Sequence, residues 1–314
     1  MPKRFAHILE LSSRTKRAVC FFSVVTFVFI ASFLQAQAPP KRPKITGIAN
    51  VRIVAENDAA YKFYSKQLAL GVDGTICSGV CASLLGVNAH QGIELLNRKQ
   101  AESNVVNITF VTSSVEALRE YVKMWGLRPS DITNSWNGKT PEFWLTDPEG
   151  HQIGFVENME DNRFAYSESQ VSKRLIHAGF IVKDPTAENH FYRDILGFHP
   201  YWHGGMNDNQ TDWLDLQVPD GTDWIEFMLN VPADADKKLL GIMNHIALGV
   251  PDIHAAAKQL LTNGMKLTEE PQIGRDGKWQ LNLYDPDDTR VELMEFTPAE
   301  KPCCSEYTGP HPKP

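Results

Sequence analysis

The chain has little cysteine, five residues in 314, too few for a small disulfide-stapled scaffold. It has no long apolar run beyond Leu34, which excludes a polytopic membrane protein. It has no excess of positive charge. Lysine and arginine total 31 against 38 aspartates and glutamates, a net of −7, so nucleic acid is not an expected partner. Three catalytic signatures are missing as well. No Gly-rich loop opens a helix in the dinucleotide pattern, no phosphate-binding Gly-Lys-Ser/Thr occurs, and there is no Gly-x-Ser-x-Gly elbow. Cys77 and Cys81 lack cysteine or histidine partners nearby, which argues against a zinc knuckle. The remaining composition, 42% hydrophobic and 22% charged, is that of a globular protein of about two domains.

The first 38 residues read as a secretory signal peptide. Lys3, Arg4, Arg14, Lys16 and Arg17 give a basic start, Ala18 to Leu34 is uncharged and mostly apolar, and Ala36-Gln37-Ala38 precedes a polar break. The alternative is an uncleaved anchor, because this run just reaches the lower limit of a membrane span. Membrane attachment is expected only in that case. Cleavage after Ala38 leaves 276 residues with a net charge of −11. The expectation is an exported protein, periplasmic or extracellular. Pro39-Pro40-Lys41-Arg42-Pro43 reads as an extended linker, residues 39–44.

Self-similarity is the most informative property of the rest. Four segments run from an apolar strand into a helix start: 45–57, 104–114, 174–185 and 242–252. Their strand-ending valines are Val54, Val111, Val182 and Val250, spaced 57, 71 and 68 residues apart. Those periods suit supersecondary modules. Each strand leads into an amphipathic stripe. Asp184 is an expected cap with Pro185 at the first helical position. Ala187, Phe191 and Ile195 then share a face, and Gly197 is the stop. Ile253, Ala256, Ala257, Leu260 and Leu261 make the stripe of the fourth unit, Tyr61, Tyr64 and Leu68 that of the first. Ser113 or Ser114 caps the second, with Val115, Leu118 and Val122. Shorter strands follow, the last of each set being 92–97, 152–157, 223–229 and 290–296. Turn clusters precede two of them, Asp147-Pro148-Glu149-Gly150 and Asp285-Pro286-Asp287-Asp288. The pattern predicts an α+β chain of four βαβββ modules, paired as residues 45–160 and 172–298, with a tail at 299–314.

This repeated module, ending in D-P-x-G/D-x-x-V/I-E-L/F, resembles the vicinal oxygen chelate superfamily, which includes glyoxalase I, extradiol dioxygenases and bleomycin-resistance proteins. The resemblance covers nearly all of residues 45–296. It implies two half-open barrel domains and a divalent metal held by the first and last strands of paired modules. Aligned on the terminal valines, the first strands place Ala49, Val106, His177 and His245 at the ligand position. The last strands place Glu94, Gly154, Glu226 and Glu292 there. The C-terminal pair alone keeps all four donors. Strand alternation puts His177 on a face with Gly179, and His245 with Ala247 and Gly249, so small residues flank each imidazole. Glu295 falls on the opposite face from Glu292. The expected metal ligands are therefore His177, Glu226, His245 and Glu292, an N₂O₂ set for Fe2+, Mn2+, Ni2+ or Zn2+. A core histidine or a solvated strand glutamate is the commoner role for any one of them taken singly.

Other histidines carry less. His190 lies inside a helix, and His199 and His203 flank Tyr201 and Trp202 in what reads as an aromatic strand. Trp202, Trp213 and Trp224 read as core or barrel lining. The resemblance implies a metal-dependent enzyme acting on a small oxygenated molecule, with glyoxalase-like isomerase or lyase chemistry and Glu226 or Glu292 as base. A ring-cleaving dioxygenase is the alternative, since its iron ligands match His177, His245 and Glu292. Two departures count against it: Glu226 is an extra donor, and Thr222 and Asp223 stand where such enzymes commonly carry a histidine. A binding or resistance protein without turnover is the third reading. For an exported chain the four cysteines beyond residue 38 are expected to be oxidised, with the tail crossing back so that Cys303 or Cys304 bonds to the Cys77/Cys81 region. A local Cys77–Cys81 bond and free thiols are the other arrangements.

Overall fold

Each βαβββ unit lays four strands down in the same order. In the computed structural model the units supply β1 Ile45–Val54, β2 Gly71–Ser78, β3 Val80–Gly86 and β4 Gly92–Leu96; then β5 Val105–Thr112, β6 Thr133–Asn134, β7 Pro141–Thr146 and β8 Gln152–Glu157. The C-terminal half repeats this with β9 Arg174–Ile181, β10 His199–Gly204, β11 Trp213–Gln217 and β12 Trp224–Met228. Its second unit has β13 His245–Val250, β14 Gln272–Ile273, β15 Trp279–Tyr284 and β16 Arg290–Glu295. The structure describes residues 41–314 except 56–57, 79, 99–103, 136–139 and 158–163. The expected signal peptide lies outside the described residues. Among the described residues no helix is long and apolar enough to cross a membrane.

The strands form two eight-stranded sheets with the same order, β2-β3-β4-β1-β5-β8-β7-β6 and β10-β11-β12-β9-β13-β16-β15-β14. In each, the two first strands of paired units run antiparallel at the centre, and each last strand lies parallel beside its own first strand. This is the expected α+β architecture. All six residues of β13, and the interior of β9, are buried on both faces. One face meets the helices, the other turns into the half-barrel.

The helices begin where their caps allow. Asp184 accepts from the amides of Thr186 and Ala187, Ser114 from Ala117 and Asp252 from Ala255. Gly126, Gly197 and Gly264 take positive φ at the stops. Three details differ from the sequence reading. Leu261 is exposed. Residues 242–243 belong to a helix, Lys237–Met243, so the fourth unit's strand starts only at His245. The helix Pro185–Asn189 widens into a π-turn, His190–Ile195. Ala187 is half-buried, and Glu188, one turn before the buried Tyr192, is completely buried.

Polar side chains tie the halves together. Gln91 donates to the carbonyl of Leu175 at 2.8 Å and accepts from its amide at 3.0 Å. The Ile48 amide donates to Asp223 at 2.8 Å, and Arg174 pairs with the same carboxylate. Arg42 in the expected linker pairs with Asp220 at 2.9 Å, so that end of the linker is anchored.

Candidate metal centre

β9 and β13 run antiparallel with Ala247 opposite His177 and Gly179 opposite His245. β12 and β16 flank them, setting Glu226 beside Gly179 and Glu292 beside Ala247. Four side chains from four strands therefore point into one volume. The two Nε2 atoms are 3.1 Å apart. Glu226 Oε2 lies 2.9 Å from His245 Nε2 and 3.9 Å from His177 Nε2. Glu292 Oε2 lies 3.6 and 3.9 Å from His177 and His245. All four residues expected from the sequence thus come together. His177, Glu226 and His245 alone already satisfy the mutual spacing of a cation site.

Gly179 makes this convergence possible. A Cβ there would drive into the His245 ring. The N-terminal sheet shows the contrast. By ladder register, Glu94 faces Arg52 as Glu226 faces Gly179, and Asn50 faces Thr109 as His177 faces Ala247. Asn50 and Asn107 thus hold the places of His177 and His245. The sequence alignment, which chose Ala49 and Val106, is one residue out, because its anchoring valines are not equivalent: Val54 stands opposite Leu96, two residues past Glu94, whereas the residue opposite Met228, two past Glu226, is Ile181 and not Val182. In this half the Arg52 guanidinium pairs with Glu94 through Nε at 2.9 Å and Nη2 at 2.7 Å, and Asn50 donates to the same carboxylate. Trp144 covers Arg52 at 5.7 Å and fills the space above Gly154. A fixed cation of the chain itself neutralises Glu94 there.

The electrostatics of the C-terminal cluster fit a metal. Burial pushes both imidazoles well below the usual histidine range, so they are neutral with lone pairs available. Met243 O accepts from His245 Nδ1 at 3.1 Å, which fixes the tautomer that leaves Nε2 as an acceptor. Glu292 is pushed up to about 8, chiefly by burial. His245 Nε2 and Glu226 Oε2, both acceptors and 2.9 Å apart, repel one another unless a cation or proton stands between them. Two imidazoles and two carboxylates are a donor set for a borderline divalent ion.

The cluster forms one wall of a cavity of about 310 Å³, lined also by Trp202, Trp213, Trp224, Asp215, Asp276, Arg275 and Arg290. The three tryptophans are barrel lining, as expected; His199 and His203 are not on this wall. Sequence reasoning missed the ionic group behind it. Lys278 is wholly buried, with its Nζ 4.6 Å from the Trp224 ring, 5.0 Å from Tyr307 and 5.4 Å from Tyr201. Burial lowers its pKa, while Asp276 and Asp215 oppose that shift. A charged residue between a glycine turn and a strand start gives no sequence signal that it will be buried.

Tyr307 comes from the tail, which lies along β10 and β11. Trp202 Nε1 donates to Cys303 O, Gln217 to Pro310 O, and Tyr201 OH meets His311 Nδ1 at 2.6 Å. The tail therefore does not cross to the first unit. Cys77 bonds to Cys81 and Cys303 to Cys304, correcting the expected crossing bridge. Cys77 and Cys81 face each other across the β2–β3 hairpin, and contacts with β10 and β11 hold the tail on the other half.

The paired-module fold sets metal-competent donors on four neighbouring strands. Residues 174–293, the C-terminal module pair, match the Glyoxalase/Bleomycin resistance protein/Dioxygenase superfamily. Similar solved structures include an extradiol ring-cleaving dioxygenase from B. fuscum, at TM-score 0.62 and 18% identity, covering 82% of this chain and 74% of that one. Homoprotocatechuate 2,3-dioxygenase from Arthrobacter globiformis superposes at TM-score 0.61 and 19% identity, covering 82% of each chain. The Brevibacterium fuscum enzyme in complex with 3,4-dihydroxyphenylacetate gives 0.60 and 17%, covering 82% and 83%. At these identities the likeness is one of fold. No curated protein matches the chain.

Proposed function

We propose that this is an exported metal-dependent enzyme performing glyoxalase-like isomerase or lyase chemistry on a small oxygenated molecule. The observation that carries the reading is Glu226 Oε2 at 2.9 Å from His245 Nε2, which makes a fourth donor beside His177 and Glu292. His177, Glu226, His245 and Glu292 would hold a divalent ion, Fe2+, Mn2+, Ni2+ or Zn2+. Such an ion acts as a Lewis acid toward substrate oxygens. Glu226 has the more exposed of the two carboxylates, at 13% against 5% for Glu292. It is placed to take a proton from carbon next to a carbonyl and return it at the neighbouring atom. Trp202, Trp213 and Trp224 supply the apolar walls that exclude water, and Arg275 and Arg290 supply charge for an anionic substrate group.

A ring-cleaving dioxygenase is the second reading. It is favoured by the similar structures of homoprotocatechuate 2,3-dioxygenases, which share this four-module arrangement. The two separate on oxygen. The iron(II)-loaded protein is incubated with catechols while oxygen is followed. Uptake that disappears in His177→Ala and survives in Glu226→Gln supports ring cleavage. Solvent-deuterium exchange into a 2-oxoaldehyde-type substrate without oxygen uptake, lost in Glu226→Gln, supports the proton-transfer reading.

A further inference from the structure

Asp147 begins the β7–β8 turn and has a counterpart in the other half, Asp285 before β16. The two turns are built alike. Asp147 Oδ1 accepts from the amide of His151 at 2.7 Å, and Asp285 Oδ1 from that of Thr289 at 2.9 Å. A helix tyrosine from the opposite half donates to each: Tyr192 to Asp147 Oδ2 at 3.2 Å, Tyr64 to Asp285 Oδ2 at 3.0 Å. Four residues before those tyrosines the halves differ. Tyr64 is preceded by Ala60 and Tyr192 by Glu188. Four residues after the aspartates they differ again, Thr289 against His151. The turn and its tyrosine contact are thus built once without these two side chains and once with them.

Glu188 is wholly buried. The Glu149 amide donates to its Oε1 at 2.9 Å, but its Oε2, equally buried, has no hydrogen-bond partner. Asp147 Oδ2 lies 2.8 Å from His151 Nδ1. One ligand atom from each of Asp147, His151 and Glu188 falls within 4.8 Å of the others.

We propose that Asp147, His151 and Glu188 form a second divalent-cation site, at the junction of the two halves, for a borderline first-row ion such as zinc. Two carboxylates buried side by side need a counter-charge. A proton on Glu188 Oε2 would have no acceptor to meet. A cation meets both carboxylates and takes the imidazole nitrogen as well, and this N₁O₂ set suits zinc or manganese(II) rather than calcium. Burial first, and the Asp147 charge next, push the Glu188 carboxyl up to about 8, so the position rewards any positive charge brought to it. An ion here would cross-link the N-terminal turn to the C-terminal helix.

Zinc binding to the chelator-stripped full chain tests this independently of the reaction. Wild type is expected to take up two equivalents in equilibrium dialysis. Glu188→Gln and His151→Ala should each take up one, with unchanged circular dichroism. In a His177→Ala/His245→Ala background one equivalent should remain, and zinc should still raise the melting temperature. Uptake of one equivalent by wild type and by Glu188→Gln alike would overturn the second site. So would two equivalents retained by both Glu188→Gln and His151→Ala. Loss of catalysis with the second equivalent intact would overturn only the proposed reaction.

Discussion

Arg52 in β1 and Gly179 in β9 occupy the same rung of two matching ladders, each facing a glutamate of the neighbouring parallel strand. In one half the rung supplies a guanidinium, and the glutamate is neutralised by the chain. In the other it supplies empty space, into which His245 folds. At this rung one half has an internal ion pair and the other an opening beside two histidines.

Glycine 179 is therefore the most sensitive backbone position of the centre. Gly179→Ala forces the His245 ring out of line and destabilises the fold by about 1–3 kcal/mol, the usual range for overpacking. Metal affinity should fall at least tenfold while the chain stays folded. Calorimetric titration with Mn2+ measures both this and the matching wild-type value.

Removing a donor acts more directly. His245→Ala and Glu292→Ala should each lose most of the metal that copurifies at the C-terminal centre. Elemental analysis of the purified variants reads this. Full metal content in both would place the ion elsewhere.

Arg52→Ala leaves Glu94, 4% exposed, without its cation. Breaking a buried pair costs about 3–5 kcal/mol, and the 32% exposure of Arg52 moderates that to roughly 2–3 kcal/mol. Urea denaturation of Arg52→Ala and of Arg52→Ala/Glu94→Gln checks it, the double variant recovering part of the loss.

Stability should also depend on pH. Glu292 and Glu188 are raised from 4.5 to about 8, and Asp223 and Asp285 from 3.8 to about 6, each mainly by burial. The native chain holds these protons after the unfolded chain has released them. The buried His177 and His245, held well below the usual range, act the other way below their unfolded pKa of about 6.5, where the unfolded chain takes up protons first. Above that pH the two glutamates act alone, and chelator-treated protein loses stability as pH rises to about 8. Melting curves across that window should show the fall, and Glu292→Gln should flatten it. Saturating metal should reduce it too, since the ion replaces the protons.

The disulfides make a separate prediction. Unreduced peptide mapping should find Cys77 linked to Cys81, Cys303 linked to Cys304, and no peptide joining the tail to the first unit. Reduction of the five-residue Cys77–Cys81 loop should cost roughly 2 kcal/mol in the chain-entropy model, against about 5 for a bridge spanning the molecule.

Much of this architecture is readable in the chain because each unit repeats one grammar. The capped helices after Ser114, Asp184 and Asp252, the glycine stops and the four terminal strands all express local rules. His177, Glu226, His245 and Glu292 stand out because they recur at the ligand positions that the family resemblance implies, and strand alternation places the two histidines beside small residues. What escaped was set by pairing between strands. Anchoring on Val182, which lies beyond β9, hides Asn50 as the counterpart of His177, since register belongs to two strands and not to one. Glu188 was hidden by its charge: it stands four residues before the buried Tyr192, where an acidic side chain is not expected. The tail follows no period at all, so neither its path nor the burial of Lys278 beneath Tyr307 could be read from spacing.

The placement of that tail has a consequence for how the molecule is made. Tyr307 and His311 follow every strand of the C-terminal sheet, yet they close the aromatic wall over Lys278 and Tyr201. β9 through β16 are made before these residues and can pair while the wall is still open. The C-terminal half-barrel is therefore completed by a segment made after its last strand, and a clash introduced at Tyr307 would strike the last part of that half to close.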